Sequence, residues 1–106
     1  MYHKVFVYGT LMQTKTQQDV FGQKITTFSK AVLKDWEKDK ADGYPYICPA
    51  PGRSVKGKII QLSPLQLEQA DAWEECPGVY QREKVTVRAE DGSFFNVWAY
   101  TRREVK

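Results

Sequence analysis

The first apolar run of the chain, Val5-Phe6-Val7, carries on into Tyr8 and breaks off at Gly9. A short β-branched and aromatic run closed by Gly predicts a buried strand that ends in a tight turn. Gly9 can take positive φ and lets a second group approach the backbone. The amides from Tyr8 to Leu11 can then face a bound oxygen as a small anion or oxyanion cradle. An ordinary first strand with a Gly turn fits the same residues. Met12 to Thr16 reads as a polar loop, and Gln17 to Phe21 as one helical turn ended by Gly22. From Ile25 to Leu33 the apolar residues fall mostly on odd positions (Ile25, Ala31 and Leu33, with Thr27 between), the alternation of a half-buried strand. Asp35 to Gly43 is charged and Gly-terminated, which predicts a solvated connection in which Trp36 folds back on the core. Tyr44 to Gly52 is dense in Pro and aromatics and reads as a rigid loop, since Pro obstructs ladder pairing away from edges and bulges. Strand pattern returns from Val55 to Leu62.

Ser63-Pro64-Leu65-Gln66 is a strong helix start, with Ser as N-cap, Pro at the first helical position and Gln completing a capping box. The helix runs through Leu67, Ala70 and Trp73, spaced on one face, and ends near Cys76-Pro77-Gly78, where Pro77 removes a donor. Tyr80 to Arg88 alternates again, Glu90-Asp91-Gly92 supplies a hairpin turn, and Phe94 to Thr101 is rich in strand formers. The charged tail from Arg102 to Lys106 is expected to fray. The order β, β, β, α, β, β predicts an α+β domain built on a small curled sheet or barrel, with residues 1–106 as one domain.

Composition narrows the partners. The net charge of +3 is spread over scattered residues, and only Arg102 and Arg103 are adjacent, so no basic stripe follows a phosphate backbone and no nucleic acid is expected. The N-terminus lacks a signal-peptide pattern, and no apolar run approaches the roughly 20 residues needed to cross a bilayer. A cytoplasmic protein without membrane association is expected, as a monomer or weak homodimer. Cys48 and Cys76 lie far apart without metal-ligand spacing, so reduced thiols and no metal are expected. His3 is the only histidine and precedes a strand near the terminus, which argues against a Cys/His pair or a serine triad.

Chemistry centres on Glu74. It stands at the negative end of the helix dipole, beside the carboxylate Glu75 and against Trp73. All three features disfavour its ionised form and raise its pKa. A carboxyl poised near neutrality can take and return a proton, as general acid/base work requires. Two solvated surface glutamates ending an amphipathic helix are the plainer alternative.

Three segments together, Val5-Phe6-Val7-Tyr8-Gly9-Thr10-Leu11, Gly43-Tyr44-Pro45 and Asp71-Ala72-Trp73-Glu74-Glu75-Cys76-Pro77-Gly78-Val79-Tyr80-Gln81-Arg82, resemble the γ-glutamylcyclotransferase-like family. The Glu-x-Cys-Pro-x-x-Tyr-Gln-Arg run is most similar to its γ-glutamylamine cyclotransferase and AIG2-like branch. Many members have Gly directly after the catalytic Glu, where this chain has Glu75. The resemblance implies a mixed closed β-barrel of five to six strands, with one main helix and short helical turns packed outside. It implies that Glu74 is the proton acceptor and that Tyr8, Gly9, Thr10 and Leu11 hold the γ-glutamyl group, with Tyr44, Pro45 and Tyr100 lining the pocket. The implied reaction is attack of the substrate's α-amine on its own γ-carbonyl, giving 5-oxoproline and a free amine or amino acid, with no cofactor. A small-molecule γ-glutamyl substrate is the expected partner. The competing reading is a non-catalytic ligand-binding or regulatory module of the same fold, which has little reason to keep an unpaired carboxylate at position 74.

Overall fold

In the computed structural model five strands and two helices follow one another. They are β1 (His3–Val7), a 3-10 turn (Thr10–Met12), α1 (Thr14–Phe21), β2 (Phe28–Ala41), β3 (Tyr44–Leu62), α2 (Pro64–Trp73), β4 (Gln81–Ala89) and β5 (Phe94–Thr101). The structure describes residues 1–26, 28–41 and 43–102. Of the tail expected to fray from Arg102 to Lys106, Arg102 is instead held, its amide donating to the Ile47 carbonyl at 3.1 Å, and residues 103–106, like Thr27 and Asp42, lie outside the described residues.

The strands close into a barrel in the order β1-β3-β2-β4-β5, and β5 returns to β1. The β1–β5 contact is parallel, with Val5 opposite Trp98 and Phe6 opposite Ala99; the other pairs are antiparallel. Side chains from all five strands, among them Phe6, Leu33, Val55, Val87 and Val97, fill one apolar cluster. The opposite faces of β1 and β3 carry Val5, Val7, Ile60 and Leu62 into a second cluster, beneath Leu67 and Ala70 of α2. Both faces of β1 are therefore covered, which is why its sequence is a continuous apolar run and not an alternating one.

The mixed closed barrel stands as the family resemblance implied. The helix start at Ser63 is also as read: its hydroxyl accepts from the Gln66 amide at 3.1 Å, and the Gln66 side chain accepts from the Ser63 amide at 2.9 Å. Three expectations need correction. First, the charged Asp35 to Gly43 stretch and the Pro-rich Tyr44 to Gly52 stretch are paired strand through most of their length, not a connection and a loop. Trp36 to Ala41 pair with Tyr44 to Pro49, beyond a bulge where Asp35 takes φ 67° and its carboxylate accepts from the Gly52 amide at 3.1 Å. No other strand pairs with this ribbon among the described residues, so Pro45 and Pro49 sit at an edge where a missing N–H costs no ladder bond. Trp36, as expected, packs against the barrel core.

Second, the polar stretch after the first bend is an eight-residue helix, α1, closed by Gly22 in the left-handed conformation at φ 75°. Its anchoring is polar as well as apolar: the buried Gln17 side chain donates to the Leu11 carbonyl and accepts from the Ile25 amide, both at 2.8 Å, while half-buried Val20 and Phe21 pack against the second cluster. Third, β2 begins at Phe28 and not at Ile25. No helix among the described residues is long and apolar enough to cross a membrane.

Candidate active site

The end of β1, the last turn of α2 and the tip of the β2–β3 ribbon meet around one cavity of about 290 Å³, near the lower end of the roughly 300 to 1,000 Å³ typical of small-molecule sites. All eight residues expected at the site line it: Tyr8, Gly9, Thr10 and Leu11 from the first bend, Tyr44 and Pro45 from the ribbon, Glu74 from the end of α2, and Tyr100 from β5. The expectation missed Tyr80 and Arg102, which also line it. Tyr80 lies inside the matched motif and Arg102 was taken only as part of a charged tail.

The ribbon reaches the first bend at Gly9. A Cβ there would come within 2.9 Å of the Pro45 Cγ and 3.4 Å of its Cβ. Gly9 itself has φ −133°, so close approach, and not the positive φ considered from the sequence, is what excludes a side chain. After it the chain turns at once: the Met12 amide donates to the Gly9 carbonyl at 3.0 Å and the Gln13 amide to Thr10 at 2.9 Å. The amides of Thr10 and Leu11 open this turn, where a helix has no internal acceptor for them.

Glu74 caps α2. The helix ends in a Schellman motif: the Glu75 amide donates to Ala72 at 3.2 Å and the Cys76 amide to Asp71 at 2.9 Å, with Glu75 at φ 52°. That position favours Gly, and Glu75 stands where many relatives of the resembled family have one. Glu75→Gly is expected to stabilise the fold by about 1 kcal/mol, because a side chain in the left-handed region costs roughly 1–2 kcal/mol and the extra freedom of Gly in the unfolded chain returns part of that. A thermal melt should move up by about 4 °C, and an unchanged or lower melting temperature would show that the Glu75 side chain has a stabilising contact of its own.

The Glu74 carboxyl is half-buried, and burial pushes its pKa from near 4.5 up to about 7. Neither the neighbouring Glu75, which is exposed, nor any other charge is needed to raise it. Among the described residues Glu74 has no ion pair and no hydrogen-bond donor. The three phenols nearest in electrostatic terms have their protons committed elsewhere. Tyr8 donates to the Tyr100 carbonyl at 2.7 Å, Tyr80 to the Pro45 carbonyl at 2.6 Å, and Tyr100 to the Asp71 carboxylate at 2.7 Å. Burial pushes all three phenols up, joined by the Glu74 charge at Tyr8 and Tyr80 and, at Tyr100, by the hydrogen bond to Asp71 and its charge.

Asp71 holds the helix end to the barrel. The oxygen that accepts from Tyr100 also pairs with the Arg82 Nε at 2.9 Å, and the Arg82 guanidinium lies 4.3 Å from the Trp98 ring centre. Glu74 follows Asp71 by three residues, one helical turn on, so this clamp between α2, β4 and β5 sets where the Glu74 side chain begins. Trp73, read on one helix face with Leu67 and Ala70, is 48% exposed and lines the cavity, while Leu67 and Ala70 are buried. Cys48 and Cys76 are free and half-buried. No cluster of His, Cys, Asp and Glu among the described residues could hold a metal ion.

What this arrangement can do is move a proton. A carboxyl without partners, with a pKa near neutrality, shares a small and largely apolar cavity with a backbone bend rich in amides. Comparison with known proteins agrees in kind. The profile of the family described as "Gamma-glutamyl cyclotransferase, AIG2-like" matches residues 5–106. A gamma-glutamylaminecyclotransferase A of Danio rerio is 30% identical over 100 residues, covering 84% of this chain and 61% of its own length. An AIG2-like protein D of Arabidopsis thaliana is 33% identical over 94 residues, covering 86% of this chain and 60% of its own. The chain thus spans about three-fifths of the length of these relatives. A solution structure from Arabidopsis thaliana superposes with a TM-score of 0.83 at 28% identity, over 95% of this chain and 68% of that one. A structure titled "Gamma-glutamyl cyclotransferase" superposes at 0.87 and 19% identity, over all of this chain and 69% of that one, a likeness of fold. Motif, barrel and profile converge, and the chain belongs to the gamma-glutamyl cyclotransferase, AIG2-like family.

Proposed function

We propose that this chain is a γ-glutamyl cyclotransferase that converts a small γ-glutamyl compound to 5-oxoproline, with Glu74 as the general acid/base. The observation that carries the reading is the half-buried, unpaired Glu74 carboxyl in the same cavity as Tyr8, Gly9, Thr10 and Leu11. The substrate's α-nitrogen forms a bond to its own γ-carbonyl carbon, and the bond from that carbon to the departing nitrogen breaks. Glu74 takes a proton from the attacking nitrogen and passes one to the departing nitrogen, ending in its starting state. A pKa of about 7 suits both halves of that exchange.

Nucleophile and electrophile belong to one molecule, so orientation supplies much of the rate; effective molarities of such ring closures reach about 10⁵ M or more. The cavity's task is to fold the substrate into a ring-like shape and to exclude water. The amides of the first bend hold an oxygen that carries negative charge, either the tetrahedral oxyanion or the substrate's α-carboxylate. The Tyr8, Tyr80 and Tyr100 rings wall the space. We place the protein's work in the cytoplasm, on a small molecule and without a cofactor. The direct test is incubation with a panel of γ-glutamyl amines and γ-glutamyl amino acids, with 5-oxoproline quantified by mass spectrometry. Product from at least one compound is expected, and none from any of them would remove the enzyme reading in favour of a binding module.

A further inference from the structure

Among the described residues Arg102 contributes the one positive side chain to the cavity lining. It follows directly on β5, and its amide donates to the Ile47 carbonyl of the ribbon at 3.1 Å, so its backbone is fixed between two elements that wall the site. The guanidinium lies 6.0 Å from the Tyr80 ring centre and close enough to the Tyr80 hydroxyl to favour its ionised form. It has no carboxylate partner within ion-pair distance among the described residues, and it is absent from the influences on Glu74, so its charge is not spent on the proton-transfer group. Beside it the lining changes character. Trp73 is 48% exposed, Tyr44 63% and Val79 38%, three apolar side chains left uncovered on the outer part of one small cavity. A deep end with Glu74 and the first bend, and an outer end where the Arg102 guanidinium, in hydrogen-bond reach of the Tyr80 hydroxyl and without an ion-pair partner among the described residues, stands with exposed Trp73, Tyr44 and Val79 and with Glu75, describe two subsites.

We propose that Arg102 selects the leaving group, and that the preferred substrate is a γ-glutamyl derivative of an apolar α-amino acid. This rests on the cyclotransferase reading above. The α-carboxylate of the departing amino acid is held by the Arg102 guanidinium, whose planar fork matches a carboxylate in two parallel hydrogen bonds. Its side chain covers Trp73, Tyr44 and Val79, apolar surfaces that a small hydrophilic amine would leave in water. No new bond chemistry is involved: the amide nitrogen that leaves is the amino acid's own α-nitrogen, and it departs with the proton delivered by Glu74. A leaving group whose charge is an ammonium is disfavoured by the same guanidinium.

The test uses a matched pair, γ-glutamyl-phenylalanine and γ-glutamyl-phenethylamine, which differ only by the carboxylate. A charge-assisted hydrogen bond contributes about 1.5–3 kcal/mol, so the wild-type protein is expected to show kcat/KM at least about 10-fold higher for the phenylalanine compound, mostly in KM. Arg102→Gln should bring the two compounds to within about 2-fold of each other, and Arg102→Lys, which keeps the charge but not the fork, should restore part of the ratio. Equal turnover of the pair by the wild-type protein, or an unchanged ratio in Arg102→Gln, overturns the assignment of Arg102 and leaves the cyclotransferase reading standing, because 5-oxoproline still forms. No 5-oxoproline from either compound, while another γ-glutamyl compound of the panel yields it, overturns the assignment of Arg102 alone; none from any compound of the panel removes both.

Discussion

Replacing Glu74 by Gln is expected to lower kcat for 5-oxoproline formation by about 10³-fold, within the 10² to 10⁴ that positioned general acid/base groups usually supply. Gln keeps the shape and removes the ability to exchange a proton. Residual turnover comes from holding the substrate in a ring-like shape, so KM should move little. The wild-type rate should rise as pH passes through about 7, as Glu74 loses its proton and becomes able to accept one. The same substitution has an opposite effect on stability. Between pH 4.5 and 7 the folded chain holds a proton that the unfolded chain has released, so stability falls as pH rises across that window and is lowest for this group above pH 7. Glu74→Gln should therefore be more stable than wild type at pH 8, by about 1–3 kcal/mol, and close to wild type at pH 4. Chemical denaturation at the two pH values, with kinetics on the same samples, measures both. A variant that is fully active, or one with no gain at pH 8, would put the side chain in bulk water and end its proposed role.

The second large effect is expected at Gly9. A Val there drives its Cβ into the Pro45 ring, which already stands 2.9 Å from where that atom would be. Pro45 lies at the tip of a ribbon that no third strand pairs with among the described residues and that the Arg102 amide and the Tyr80 hydroxyl hold at Ile47 and Pro45, so the ribbon can yield while the barrel ladders hold. The site pays for that movement, because Pro45 and Tyr44 wall it and the Pro45 carbonyl fixes the Tyr80 hydroxyl. A displacement of about 1 Å in a reacting geometry can cost about 10²-fold in rate. Gly9→Val is expected to lose at least that much in kcat/KM while its melting temperature falls by only a few degrees. Parallel kinetics and thermal melts decide it, and a loss of stability on the same scale as the loss of activity would make Gly9 a folding residue and nothing more.

The legible parts of this molecule were those whose cause is local. The capping box at Ser63 and Gln66, the Gly-closed hairpin before Phe94 and the apolar run of β1 each act within a few residues, and each is where the pattern put it. The ribbon was misread because its strands are stabilised by distant partners. Charged Lys38, Asp39 and Lys40 look solvated, and Pro45 and Pro49 look like breakers, until an unpaired edge makes both harmless. Helix α1 was read as loop and a single turn because its apolar residues, Val20 and Phe21, come only in its last turn and a buried glutamine ties down its first half. At the site, Glu74 and the first bend were found through motif spacing. The raised pKa was expected for partly the wrong reason: the neighbouring Glu75 is exposed and does not contribute to the shift, and burial alone suffices. Arg102 was missed because nothing in a charged C-terminal stretch distinguishes a residue that turns back toward a cavity.

β1 is the stave that completes the cask: it touches β3 on one side and β5 on the other, and the bend presented to the cavity is its direct continuation. A molecule gripped by that bend is gripped by the piece that shuts the barrel. The barrel is closed without a ligand, and a ligand held by that bend adds its binding free energy to the same closure, acting as a clasp for the whole fold.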